Sequence, residues 1–320
     1  MTAPLREAGS FRDPNGHIYH HQGRILRTVN ESAAADYRRL RDDGLLALLV
    51  SRQMLLPAAE VDPDSLPIPG AAPVYLLEHP RLPFVSYPYE WSFAAHRAAA
   101  LLHLDLHLLA LEHGFTLSDA SAYNVQFIGA RPIFIDHLSL RPYRAGEIWA
   151  GHRQFCMQFL NPLLLHAKLG INPQTWFRGQ LEGIDPADLA RILPWRQRLS
   201  WTVFANVFLQ ARFQSRAAGV DSAEQSRLKQ AQLPASAFRN MLIGLRDYIA
   251  GLKGSDARTT WSDYAGNTSY SSDETARKQG FVAEMVAAVR PEKLIDLGCN
   301  TGDYSKLALQ AGAASVIGFD

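Results

Sequence analysis

The feature that most restricts the fold lies near the end of the chain, in the run EKLIDLGCNTGDYSKLALQAGAASVIGFD. It reads as strand, glycine turn, helix and strand. Lys293–Asp296 begins a buried strand, Leu297–Gly302 is the turn, Asp303–Gln310 is the helix, and Ser315–Asp320 is the second strand. A helix precedes this run, with Phe281, Val282, Met285, Val286 and Val289 on one face. A strand that returns through a helix to a second strand of the same sheet lies parallel to it with a right-handed crossover, which implies an α/β doubly wound sheet. Glycine suits such a turn because it accepts unusual backbone angles and lets a ligand lie against the main chain. The open end of the following helix offers N–H groups. An acid closing the second strand, Asp320, stands where ribose hydroxyls would be bound.

The turn reads Asp-Leu-Gly-Cys-Asn-Thr-Gly, a D-x-G-x-x-x-G pattern rather than the G-x-G-x-x-G of dinucleotide sites. It resembles the first motif of class I S-adenosylmethionine-dependent methyltransferases. The resemblance implies that Asp296, Gly298, Cys299, Asn300 and Gly302 line an S-adenosylmethionine site and that Asp320 holds its ribose. Asn300 stands where that family often has a central glycine. About the last 45 residues carry the resemblance. It implies a Rossmann-like domain whose first βαβ unit alone is present, with the catalytic positions beyond Asp320 and the methyl acceptor unspecified. A NAD-binding or purely structural unit is the alternative. The whole layout, from SFRDPNGHIY through DASAYNVQF and PIFID to the glycine turn, is similar to a group of bacterial methyltransferase-like proteins, some labelled as nodulation proteins.

Upstream, the pattern is different. Asn15-Gly16 and Gln22-Gly23 are tight-turn signals, and GRILRTVN alternates like a strand. Residues 32–55 have helical spacing, with Asn30 or Ser32 as the N-cap. PVYLLEHPRLPFVSYPYEW holds two short strand-like runs broken by prolines. Residues 92–112 are rich in Ala and Leu and form a helix ended by Gly114. VQFI and PIFID, separated by a turn at Gly129, form a hairpin. Residues 145–250 are mostly helical. The expected domains are 1–250 and 275–320, joined by a Gly-, Ser- and Thr-rich linker over 251–274 that carries Trp261, Tyr264 and Tyr270.

Asp119, Asn124 and Asp136 occur in that order, with the last at the end of the hairpin. The arrangement resembles the catalytic segment of protein-kinase-like phosphotransferases, and it implies an α+β kinase-like fold for residues 1–250. In that family an Asp acts as base, and an Asn and a second Asp hold magnesium. The resemblance implies Asp119 as base, with Asn124 and Asp136 as ligands if Mg-ATP is bound. The departures are clear. There is no glycine-rich phosphate loop near residues 10–30, no lysine before Lys168, and Asp-His-Leu stands in place of Asp-Phe-Gly. Arg27 is the nearest substitute for the strand lysine, though arginine and lysine are not interchangeable. Three readings stay open: an ATP-dependent phosphotransferase, a degenerate kinase-like module that recognises substrate, and a coincidence in which Asp119 and Asn124 cap turns.

Composition bounds the partners. Net charge is +1 with no long run of one sign, so nothing calls for nucleic acid or an anionic membrane. Only Cys156 and Cys299 occur, which fits a reducing, cytoplasmic setting better than a disulfide framework. No stretch has the length and apolarity of a membrane span or a signal peptide. His103 and His107 share a helical face, but no third metal ligand accompanies them. Trp91 reads as packing, and Lys278 as part of a linker anchor.

Overall fold

The computed structural model describes residues 4–65, 68, 73–212, 232–255 and 271–319. The chain divides into two compact units, residues 1–255 and 256–320. The expected linker residues Trp261, Tyr264 and Tyr270, and the expected ribose acid Asp320, lie outside the described residues.

In the first unit a five-stranded sheet has the order β1-β2-β3-β5-β4, antiparallel throughout. Its strands are β1 (Leu5–Arg6), β2 (Ile18–His21), β3 (Arg24–Val29), β4 (Ala59–Val61) and β5 (Tyr75–His79). The β2–β3 hairpin closes on Gln22-Gly23, both with positive φ, the type I′ geometry that matches the twist of the strands. Asn15-Gly16 does a different job. A short 3-10 helix separates β1 from β2, and a Cβ on Gly16 would stand 1.9 Å from the Thr28 carbonyl oxygen. Glycine therefore lets that turn lie directly on β3. The helical stretch after β3 is two helices, α1 (Glu31–Asp42) and α2 (Leu45–Ser51). Gly44, at φ 78°, breaks them apart. Asn30 occupies the cap position of α1 without a side-chain cap bond.

The helical part of this unit is built on α3 (Phe93–Glu112). Ser92 caps it, its hydroxyl accepting from the Ala95 N–H. Two short antiparallel pairs follow: β6 (Phe115–Leu117) pairs with β9 (Leu140–Pro142), and β7 (Val125–Ile128) pairs with β8 (Arg131–Phe134) across Gly129. Next comes α4 (His152–Phe155), which runs through a π-helical turn (Cys156–Leu160) into α5 (Asn161–Leu169). Helix Ala235–Ala250 packs along α3. One core joins these parts, with Leu104, Phe115, Phe134, Phe155, Phe159 and Phe238 fully buried in it. Sheet, long helix, acidic loop, hairpin and helical remainder make a kinase-like fold.

The second unit has helix Ser272–Val289, strand β10 (Leu294–Leu297), helix Asp303–Gln310 and strand β11 (Val316–Phe319). β10 and β11 pair in parallel. The described residues thus contain the expected strand–helix–strand, but a Rossmann-like methyltransferase sheet is not shown. Of the helix face named above, Val286 is buried while Phe281, Met285 and Val289 are exposed, and on β10, expected to be a buried strand, Ile295 and Leu297 are exposed. Val286, Ala308 and Ala313 form its small core. Among the described residues no helix is long and apolar enough to cross a membrane.

Candidate functional site

The acidic residues meet where three local structures converge. Asp119 lies in the loop after β6, in an Asx turn whose Oδ1 accepts from the Ser121 N–H at 3.0 Å. Asn124 ends a short 3-10 turn that leads into β7. Asp136 follows β8 and caps the next turn, with Oδ1 accepting from the Leu138 N–H at 3.1 Å. The Asn124 Nδ2 group spans the two acids, donating to Asp119 Oδ2 at 3.0 Å and to Asp136 Oδ2 at 3.4 Å. So the three residues singled out by their spacing are neighbours in space.

Arg27, on β3, reaches the same point. Its Nη1 pairs with Asp136 Oδ1 at 2.8 Å, and its Nη2 pairs with Asp13 Oδ2 at 2.8 Å. Arg27, the nearest substitute in the sequence for a kinase strand lysine, thus points at the acid after the hairpin. Burial, then the nearby charge of Asp136, raises the pKa of Asp119, while hydrogen bonds from Gln154, Asn124 and Ser121 oppose the shift. Two carboxylates bridged by one amide hold excess negative charge.

The loop is held from behind by α4 and its π-helical turn. Gln154 Oε1 accepts from the Ala120 N–H at 2.9 Å, and Gln158 Oε1 accepts from the Ala122 N–H at 2.7 Å. The spacing of these glutamines, four apart in an otherwise apolar run, was the one sequence signal for them. His96 contacts the Gln158 carbonyl oxygen through Nε2 at 2.7 Å. His137, which replaces the phenylalanine of Asp-Phe-Gly, is buried against His79 with ring centroids 5.0 Å apart. Burial keeps both neutral, lowering His79 to about 4 and His137 to about 3, with the Arg27 charge acting in the same direction. Nothing in the sequence pointed to Asp13 or His79 as neighbours of this site, and His137 was marked only as the middle of Asp-His-Leu.

The other candidates separate from it. His103 and His107 are fully buried among aromatic rings, and His107 Nε2 shares a hydrogen bond with the Thr116 hydroxyl at 2.8 Å. Among the described residues no trio of His, Cys, Asp and Glu gathers to hold a metal. Trp91 packs edge-on against His96 and Phe127 and borders a cavity of about 220 Å³ that the acidic residues do not line. Cys156 is buried and its thiol is pushed up to about 12, so it is no nucleophile at neutral pH.

In the second unit, Gly298 and Gly302 have φ of 74° and 78°, and Asn300 has φ 46°. A Cβ on Gly298 would meet nothing within 4 Å, and its positive φ is a conformation that favours glycine. The Asp296 carboxylate, on β10, accepts from the Ser305 hydroxyl of the following helix at 2.6 Å. The Cys299 sulfur packs where Gly318 lacks a side chain. Lys278 lies over the Tyr304 ring at 4.7 Å, a contact inside this unit.

No family model matches the chain. Among curated proteins it is similar to nodulation protein NoeA of Rhizobium meliloti (strain 1021), at 44% identity over 318 residues. That match covers 99% of this chain and 66% of the relative, so the chain spans about two thirds of the relative's length. Solved structures similar to it include vaccinia related kinase 3, at 13% identity over 78% of this chain and 90% of that one, with TM-score 0.33. The kinase domain of PknI from Mycobacterium tuberculosis is another, at 15% identity over 57% of this chain and 84% of that one, with TM-score 0.31. The kinase-like assignment stands on the element order and the loop described above. These findings correct the reading of the chain as a methyltransferase cut off inside its catalytic domain. The relative's name carries no methyl transfer, the described elements of the first unit follow a kinase-like order, and S-adenosylmethionine has no support. The D-x-G-x-x-x-G pattern misled because it specifies a strand–turn–helix backbone, which leaves the ligand open.

Proposed function

We propose that the kinase-like unit binds a magnesium nucleotide and transfers its terminal phosphoryl group to a hydroxyl of a small-molecule substrate. The observation that carries this reading is the Asn124 amide lying between Asp119 and Asp136. Its NH2 group sits between two carboxylates, a place that a divalent cation would fill more strongly. Asp136 and, after rotation of its amide, the Asn124 Oδ1 are oxygen donors of the kind magnesium takes. Bound there, magnesium would neutralise phosphate charge. Arg27 supports the same phosphates from the β3 side. Asp119, its pKa raised, accepts the substrate hydroxyl proton as the oxygen attacks the terminal phosphorus and the bond to the departing diphosphate breaks.

The test is calorimetry of the whole chain with Mg-ADP and Mg-ATP, paired with an ATP-turnover assay. Binding lost in Asp136→Ala, together with turnover but not binding lost in Asp119→Asn, is the expected pattern. Absence of nucleotide binding by folded protein would reject it. A second reading, a kinase-like module that binds nucleotide without transfer, is favoured by the Asp13–Arg27 pair and by the missing strand lysine. Binding with no turnover of any kind would select it.

A further inference from the structure

Arg27 is almost fully used, and by an unexpected partner. Its side chain is only 11% exposed. Nη1 goes to Asp136 and Nη2 to Asp13, while the Nε–H is buried without a hydrogen-bond partner. On a guanidinium, Nε and Nη2 form one edge, the edge that takes two oxygens of a carboxylate or phosphate side-on. Asp13 satisfies half of that edge and leaves the other donor buried and unpaired, which is unfavourable.

Asp13 is held in this position by its own loop. Its Oδ1 accepts from the Asn15 N–H at 2.9 Å, leaving Oδ2 for Arg27. The loop is fixed to β3 by the Asn30 N–H donating to the Asn15 carbonyl at 2.8 Å, by the His17 N–H donating to the Thr28 hydroxyl at 2.8 Å, and by the close approach of Gly16 to Thr28. The carboxylate therefore comes from the segment between β1 and β2 and takes Nη2, while Asp136 takes Nη1.

We propose that Asp13 is a built-in substitute for a phosphate: it occupies the anion edge of Arg27, and a phosphate-bearing ligand gains its full grip only by displacing it. This inference rests on the reading of the site as one for a magnesium nucleotide, and it adds a gate to that reading. A phosphate taking the Nη2–Nε edge restores the missing hydrogen bond, and the freed Asp13 turns to solvent, from which it is only partly withdrawn at 34% exposure. Asp13 thus weakens binding of any ligand that brings one weakly held anionic group. A ligand whose diphosphate contacts both Arg27 and a cation at Asp136 overcomes it.

The experiment titrates the whole chain with Mg-ADP and, separately, with inorganic pyrophosphate without magnesium. Asp13→Asn keeps the turn, because an amide oxygen still accepts from the Asn15 N–H, but it removes the charge facing Arg27. The expected result is at least a tenfold gain in Mg-ADP affinity and new pyrophosphate binding, both abolished by adding Arg27→Met. Asp13→Ser, which also retains a turn acceptor, gives the same readout should the amide variant fold poorly. Equal Mg-ADP affinity in wild type and both Asp13 variants, with binding still lost in Asp136→Ala, overturns the gate and leaves the nucleotide reading standing. Pyrophosphate binding gained in Asp13→Asn with no Mg-ADP binding by any variant supports the gate and rejects the nucleotide reading. Neither ligand bound by any folded variant overturns both.

Discussion

His103 stores a pH-dependent liability in the centre of the first unit. The ring is fully buried and is surrounded by Phe134, Trp149, Phe155 and Phe159. Burial lowers its pKa to about 4, and the backbone of Asp119 favours the protonated form without closing a hydrogen bond to either ring nitrogen. Because the folded pKa lies below the unfolded value of about 6.5, the unfolded chain takes up the proton first. Stability is therefore complete above about pH 6.5 and is lost as pH falls through the window from there down to about 4. At pH 5 the unfolded histidine is nearly all charged and the folded one nearly all neutral, which costs about 2 kcal/mol. His103→Leu removes that term and also the two unpaired ring nitrogens. The assay is urea unfolding of wild type and variant at pH 5 and pH 7.5, read by tryptophan fluorescence. The stability gap should shift by about 2 kcal/mol in favour of the variant on going to pH 5. His96 and His137 add to the acid loss in both proteins and cancel in the difference, whereas His107, whose pKa the His103 charge helps to lower, belongs to the same effect and is released with it. A gap of the same size at both pH values would refute the claim that this ring is kept neutral by burial.

Two further outcomes follow from how the acidic loop is held. Gln158→Ala leaves the Ala122 N–H buried without its acceptor, which should cost about 1–3 kcal/mol in a denaturant titration and speed hydrogen exchange at Ala122. Unchanged exchange there would mean the loop is not held by this side chain. Gly183→Ala combines φ 96° with a Cβ only 2.3 Å from the Met157 carbonyl oxygen, so it should destabilise by more than about 1 kcal/mol. A thermal midpoint equal to that of wild type would show that the backbone there relaxes freely.

Much of the site was readable from order and spacing because the relevant signals are local. Gln22-Gly23 dictates a hairpin, Ser92 starts α3, and Gly129 turns one short strand onto the next. Those elements carry Arg27, Asp119, Asn124 and Asp136 into one place. What the sequence did not yield depends on contacts between distant segments. Asp13 reaches Arg27 because Gly16 permits a loop to lie on Thr28, and no property of residues 13–16 alone names that target. His79 and His137 face each other from β5 and from the turn after β8, 58 positions apart, since 137 − 79 = 58.

The misreading of the C-terminal run has the same origin, seen from the other side. A glycine pattern reports where the backbone needs positive φ, and both Gly298 and Gly302 meet that need. Ligand identity depends instead on what faces the turn, and within the described residues the Asp296 carboxylate faces Ser305. In the first unit the inference ran better because the marks were side chains with chemistry of their own. A carboxylate, an amide and a second carboxylate at fixed spacing constrain charge as well as backbone, and charge is what a cation or a phosphate reads. Asp13 sharpens the point: it is the charge that spacing could not reveal, and it decides how strongly Arg27 can hold an incoming anion.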